Sequence, residues 1–144
     1  MIRYAIDVHG TLADRTPDGV QPSNLFPLLT GLMRAWVKHG EEVYILSGPT
    51  ASTILEEISS LGLAQGTHYT GVLSMVDHIK ATGVEMWEKP EGSGNWWTTR
   101  EVWHSVKGQI ARDYEIDVVV DDTADYAPAM PEGTTFVLVS TLGR

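Results

Sequence analysis

Apolar residues fall in short blocks separated by polar turns, and the blocks alternate between two periods. Residues 2–8, IRYAIDV, make an apolar run of strand length with an aspartate near its end, followed by the turn-rich HGTLADRTPDG. From Ser23 the period becomes helical, with Leu25, Leu28, Leu29, Leu32 and Trp36 on one stripe and Gly40 placed to stop it. Residues 42–46, EVYIL, predict a second strand running into Ser47-Gly48, and Ile54, Leu55, Ile58 and Leu61 predict a second amphipathic helix closed by Gly62. Weaker signals place a strand over 68–73 and a short helix over 74–81. After a loop-like stretch, 83–98, Val102, Trp103, Val106 and Ile110 mark a helix over 99–113. IDVVV at 116–120 and TFVLV at 135–139 bring the count to about five strands.

Strands that alternate with helices are joined by right-handed crossovers into a mostly parallel sheet. The predicted fold is therefore α/β, a Rossmann-like three-layer domain. In such a sheet the strand carboxyl ends lie along one edge, so Asp7, Ser47 and the neighbours Asp121 and Asp122 are expected to converge although they are distant in sequence.

A chain of 144 residues suits one core domain spanning 1–144 and leaves little room for a second. No apolar stretch approaches the ~20 residues of a bilayer-spanning helix, and the opening MIRYAIDVHG carries charge where a secretory signal would be apolar. The expectation is a soluble, cytoplasmic protein with no membrane partner. The absence of cysteine excludes disulfides, thiolate metal sites and cysteine nucleophiles, so any metal must be held by oxygen or imidazole, with Mg²⁺ the first candidate. The net charge of -9 opposes broad adhesion to nucleic acid, although a nucleic-acid end remains a possible substrate where basic groups cluster.

The strand ends resemble those of the haloacid dehalogenase-like (HAD) hydrolases, which move phosphoryl groups with an aspartate nucleophile. Their first motif, an apolar strand followed by D-x-D-G-T-L, stands here as AIDVHGTL, with His9 where the second aspartate belongs. VYILSG matches their second motif at Ser47, and VVVDDTAD matches the fourth with Asp121, Asp122 and Asp125. The resemblance implies that Asp7 attacks phosphorus to form an acyl phosphate. It also implies Mg²⁺ held by Asp7, the His9 carbonyl and Asp121, with Asp122 or Asp125 behind them. Ser47, Gly48 and Thr11 would bind the phosphoryl oxygens.

The family's third motif is a lysine or arginine, and here the sequence leaves two candidates. A strand over 116–121 advances about 18 Å at about 3.3 Å per residue, which about 12 helical residues at about 1.5 Å each would match. Counting back puts the near end of the preceding antiparallel helix at 99–103. By that count Arg100 is within reach, Lys89 can enter from the loop, and Lys107 lies too far down. Lys89-Pro90 also looks like the Lys-Pro pair of many relatives, so Lys89 and Arg100 stand level.

His9 is the departure from the family pattern. An imidazole titrates near pH 6.5 and can serve as general acid and base. The implied activity is a Mg²⁺-dependent phosphatase with His9 in that position, acting on a phosphorylated small molecule or a nucleic-acid end. The alternative is a silent or slow protein that binds phosphate or nucleotide. No full cap domain fits, since 14–41 holds a loop and one core helix and 63–98 a strand, a short helix and a loop. The capless outline TTREVWHSVKGQIARDYEIDVVVDD loosely resembles the phosphatase domain of polynucleotide kinase-phosphatases. An uncovered site suits a bulky substrate, or a homodimer in which the second subunit serves as lid. Trp103 falls on the helical stripe and is expected in the core. Trp96-Trp97, in a Gly-rich loop, is expected to pack, to form a dimer contact or to stack on a base. His39, His68, His78 and His104 show no ligand spacing.

Overall fold

The structure is a computed structural model that describes residues 1–89 and 96–141. Pro90 and most of the EKPEGSGN stretch fall outside the described residues. In chain order the elements are strand β1 (Arg3–Ile6), a hairpin of β2 (Ala13–Thr16) and β3 (Gly19–Pro22), helix α1 (Phe26–Lys38), β4 (Glu42–Ser47), α2 (Ala51–Ser60), β5 (Gly71–Ser74) and α3 (Met75–Ala81). They continue with the short pair β6 (Trp87–Glu88) and β7 (Trp96–Trp97), α4 (Arg100–Asp113), β8 (Val118–Asp121), a 3₁₀ helix (Ala124–Ala129) and β9 (Thr135–Leu138).

The central sheet has the order β5-β4-β1-β8-β9, and every neighbouring pair is parallel. The α/β expectation holds. Because successive strand residues face opposite sides, the sheet divides its own core. Ile6, Ile45 and Val120 pack against Leu29 and Met33 of α1 and Ile54 and Ile58 of α2. Ala5, Leu46 and Val119 face the other way, onto Met75 and Ile79 of α3 and Val106 and Ile110 of α4. Two helices on each face complete the three layers. The chain leaves β1 toward β4 and β5 on one side and later crosses to β8 and β9 on the other, so the crevice at the carboxyl ends lies at the point where the winding reverses.

Several expectations need correction. In α1 the buried positions are Leu29 and Met33, whereas Leu28 and Leu32 of the proposed stripe are 62% and 38% exposed. The roll of this helix is fixed by Trp36, whose ring stacks on Tyr4 of β1 at 3.7 Å between centroids. Leu55 of α2 is likewise exposed, leaving Ile54 and Ile58 as the buried pair. The weak strand over 68–73 is the shorter β5, and Ser74 is the N-cap of α3, its hydroxyl accepting from the Asp77 amide. The turn-rich segment after β1 holds the β2–β3 hairpin, and the loop-like 83–98 holds the β6–β7 pair. Among the described residues no helix is long and apolar enough to cross a membrane.

Candidate active site

β1 delivers Asp7 to the sheet edge, and its amide still donates to the Val120 carbonyl at 3.0 Å, so the residue is placed by the sheet rather than by a loose loop. The chain then folds back sharply. The Val8 carbonyl accepts from the Thr11 and Ala13 amides, at 3.2 and 2.9 Å. Gly10 takes φ +80, a conformation strained for any side chain, and lets the turn lie close to the Asp122 carboxylate, whose Oδ2 would be 2.1 Å from a Cβ there. The buried Thr11 hydroxyl donates to Asp7 Oδ2 at 3.3 Å.

β8 delivers Asp121, fully buried, whose Oδ1 accepts from the Thr123 amide at 3.0 Å. Between Asp7 and Asp121 sits the ammonium of Lys107, which donates to Asp7 Oδ1 at 3.2 Å and also to Asp121 Oδ2. Lys107 is 1% exposed, and its Nζ lies 4.6 Å from the centroid of the Tyr126 ring. The sequence count had placed this lysine too far down α4. The strand begins only at Val118, so about four residues and roughly 13 Å must be matched, which about nine helical residues cover. The long lysine stem closes the remaining gap. Gly108 helps, since a Cβ at that position would lie 2.1 Å from the Ala129 carbonyl oxygen; without one, α4 lies directly against the 3₁₀ helix that follows β8.

Of the two expected cations, Arg100 is the exposed first residue of α4 and does not line the site cavity, whereas Lys89 does. Arg15 of β2 also lines it and escaped sequence reasoning, because nothing in ADRT announces a strand that turns back over the site.

Burial pushes Asp7 up to about 7; the Lys107 ammonium opposes this, while Asp121 and Asp122 add to it. Burial likewise raises Asp121, against Lys107 and the Thr123 amide. For Lys107 burial works downward, but the two carboxylates outweigh it and hold the ammonium above its ordinary range.

β4 ends at Ser47, which is fully buried and whose hydroxyl has no hydrogen-bond partner among the described residues. It lines a cavity of about 380 Å³ together with Asp7, His9, Gly48, Lys107 and Asp122. Trp103, half-buried rather than fully in the core, backs Gly48, where a Cβ would meet its ring at 3.2 Å. Trp96 lines the same cavity with Lys80 3.4 Å from its ring centroid, while Trp97 is half exposed and lies 4.8 Å from Trp87 between ring centroids.

Asp7, Asp121 and Asp122 each offer a carboxylate oxygen, all within 4.8 Å of one another. The donor set is all oxygen, the kind a hard divalent cation takes. When ionised, three carboxylates against one ammonium leave the cluster two charges short of neutrality, so a divalent ion fits both the donors and the charge. Asp125 stands outside the cluster, exposed and 3.8 Å from His104. The His9 side chain turns toward α2, with Nε2 2.9 Å from Glu57 Oε2.

The fold has a solved counterpart. It is similar to the crystal structure of a D,D-heptose 1,7-bisphosphate phosphatase from B. bronchiseptica complexed with magnesium and phosphate. The TM-score is 0.51 at 14% identity, over 94% of this chain and 92% of that one. At this identity the likeness is one of fold. No family model and no curated protein matches the chain.

Proposed function

We propose that the protein is a Mg²⁺-dependent phosphomonoesterase of the HAD type that works through an aspartyl-phosphate on Asp7. One observation carries the reading: Ser47, fully buried and without a partner for its hydroxyl, shares a cavity with Asp7 and with the lysine that holds Asp7 to Asp121. A buried hydroxyl with no partner is costly unless a ligand satisfies it, and a phosphoryl oxygen next to the nucleophile does so.

In the first step an Asp7 carboxylate oxygen attacks phosphorus. The bond from phosphorus to the leaving oxygen breaks, its electron pair stays on that oxygen, and a proton from His9 completes the alcohol. In the second, water attacks the phosphorus of the acyl phosphate, gives its proton to His9, and returns the electron pair to the Asp7 carboxylate. Lys107 holds Asp7 in line and offsets negative charge, and the Ser47 hydroxyl donates to the transferring group. Mg²⁺, when bound by Asp7, Asp121, Asp122 and the His9 carbonyl, supplies charge neutralisation between two anions.

Arg15 and Lys89 line the cavity without an ion-pair partner among the described residues, in a chain of net charge -9. Their position favours a phosphorylated small molecule that carries further negative charge. The fold likeness to an enzyme of a bisphosphorylated sugar agrees with this choice. Beyond the core sheet and its helices, the described residues add only the β2–β3 hairpin and the two-residue strands of the β6–β7 pair, too little for a cap domain, which favours a capless enzyme.

The test is phosphate release with Mg²⁺ from sugar phosphates, nucleotides and 3′-phosphorylated oligonucleotides. Turnover that Asp7→Asn abolishes supports the reading, and the preferred class identifies the substrate. Tight phosphate binding with no release from any of them overturns it in favour of a silent binding protein.

A further inference from the structure

The residue after the nucleophile's neighbour is His9, and its ring has a partner. Nε2 lies 2.9 Å from Glu57 Oε2, and the two side chains are only 20% and 19% exposed. Glu57 comes from the second half of α2, 48 residues further along the chain. With the Glu57 carboxylate as acceptor, Nε2 is the donor in this contact. That leaves Nδ1 as the ring nitrogen for the cavity His9 lines. The other carboxylate oxygen of Glu57, Oε1, is buried with no hydrogen-bond partner among the described residues, so Glu57 holds its contact to His9 at the cost of an unsatisfied atom. Had the contact served only to tie α2 to the loop after β1, a shorter polar or apolar pair would do so without stranding a buried oxygen.

We propose that Glu57 is a positioning residue that fixes the tautomer and orientation of His9, so that Nδ1 passes the proton between leaving oxygen, ring and attacking water. The inference rests on the phosphatase reading and deepens it. A carboxylate at position 9 would need no such partner, since both of its oxygens are equivalent; an imidazole has one useful nitrogen and must be told which. In the first step the Nδ1 proton goes to the leaving oxygen as its bond to phosphorus breaks; in the second, Nδ1 takes a proton from water as the oxygen attacks the phosphorus of the acyl phosphate. Throughout, the hydrogen stays on Nε2 and is directed at the Glu57 carboxylate, which accepts it as the carboxylate that orients a catalytic histidine does elsewhere.

The test compares kcat/KM, with Mg²⁺, on phenyl phosphate and 4-nitrophenyl phosphate. The two are nearly the same size, but only the phenolate needs a proton to leave well. Glu57→Gln should cost about 10- to 100-fold on phenyl phosphate and no more than about threefold on 4-nitrophenyl phosphate, in the range of other partners that orient a ligating or catalytic side chain. Glu57→Asp should recover part of the loss, and in a His9→Asp background Glu57→Gln should have no leaving-group-dependent effect. Equal losses on both substrates, or none on either, overturn the proposal while leaving the phosphatase reading in place. A wild type that releases phosphate from neither substrate overturns the proposal, and one that also releases none from the sugar phosphates, nucleotides and oligonucleotides above overturns the phosphatase reading with it. A thermal midpoint measured for each variant separates lost positioning from lost fold, and a Glu57→Gln that fails to fold passes the question to the Glu57→Asp variant, whose leaving-group ratio must then exceed that of the wild type.

Discussion

Asp7, Lys107 and Asp121 meet where almost no solvent reaches, and removing the cation from between two anions leaves both uncompensated. Lys107→Met is expected to destabilise the protein by about 3–5 kcal/mol in urea unfolding with chelator present, the usual cost of breaking a buried ion pair from one side. Added Mg²⁺ should then raise the midpoint of this variant more than that of the wild type; an unchanged stability would show that the lysine is not buried between the acids. Ser47 predicts the opposite combination. Because its hydroxyl has no partner, Ser47→Ala should leave stability unchanged or slightly raised while lowering kcat by about 10²- to 10³-fold, the usual cost of a lost donor to a transferring group. A variant that loses stability without losing turnover contradicts this account. Asp7 gives a pH dependence. Its carboxyl lies at about 7 in the folded chain, against an unfolded value near 4. The folded state therefore binds that proton more tightly, a contribution present below pH about 4 and lost as pH rises through about 7. An asparagine cannot ionise, so with chelator present the midpoint of Asp7→Asn minus that of the wild type should grow from pH about 5 to pH about 8. A constant difference would place the Asp7 carboxyl at its ordinary value.

The close approach of α4 to the 3₁₀ helix is what brings Lys107 to the strand ends, and Gly108 permits it. Gly108→Ala would put a methyl 2.1 Å from the Ala129 carbonyl oxygen, against backbone that cannot swing aside. The expected cost is about 1–3 kcal/mol or more in urea unfolding, with activity reduced as Lys107 is displaced; a fully stable, fully active variant would show that the helix is not packed there. This element also marks how far the sequence could be read. The apolar runs of β1, β4 and β8 are buried on both faces and so declare themselves, and the aspartates and serine that follow them were legible with their places. The β2–β3 hairpin was not, since ADRT and GVQP are short and mostly not buried and carry no alternation. Neither was Lys107, because a count from residue 116 sets it too far down the helix, and its reach to the strand ends shows only once β8 is known to begin at Val118. Glu57 was silent because the partner of its carboxylate, His9, lies 48 residues away.

At the scale of the molecule, parallel order does the assembly. β4, β1 and β8 are neighbours, so Ser47, Asp7 and Asp121 emerge side by side from three strands that share one direction. Everything proposed for the chain follows from that juxtaposition, together with the cation that an all-oxygen, charge-deficient cluster calls for. The β2–β3 hairpin brings Arg15 to the cavity, and the segments around β6 and β7 bring Lys89 and the ring of Trp96, without altering the sheet. The most direct measurement is a crystal structure grown with Mg²⁺ and beryllium fluoride, which mimics a phosphoryl group on a carboxylate. The account predicts trifluoroberyllate on an Asp7 oxygen, Mg²⁺ among Asp7, Asp121 and Asp122, and a fluorine within hydrogen-bond distance of the Ser47 hydroxyl. Trifluoroberyllate on another residue, or Asp7 left bare while the cation binds elsewhere, would contradict it.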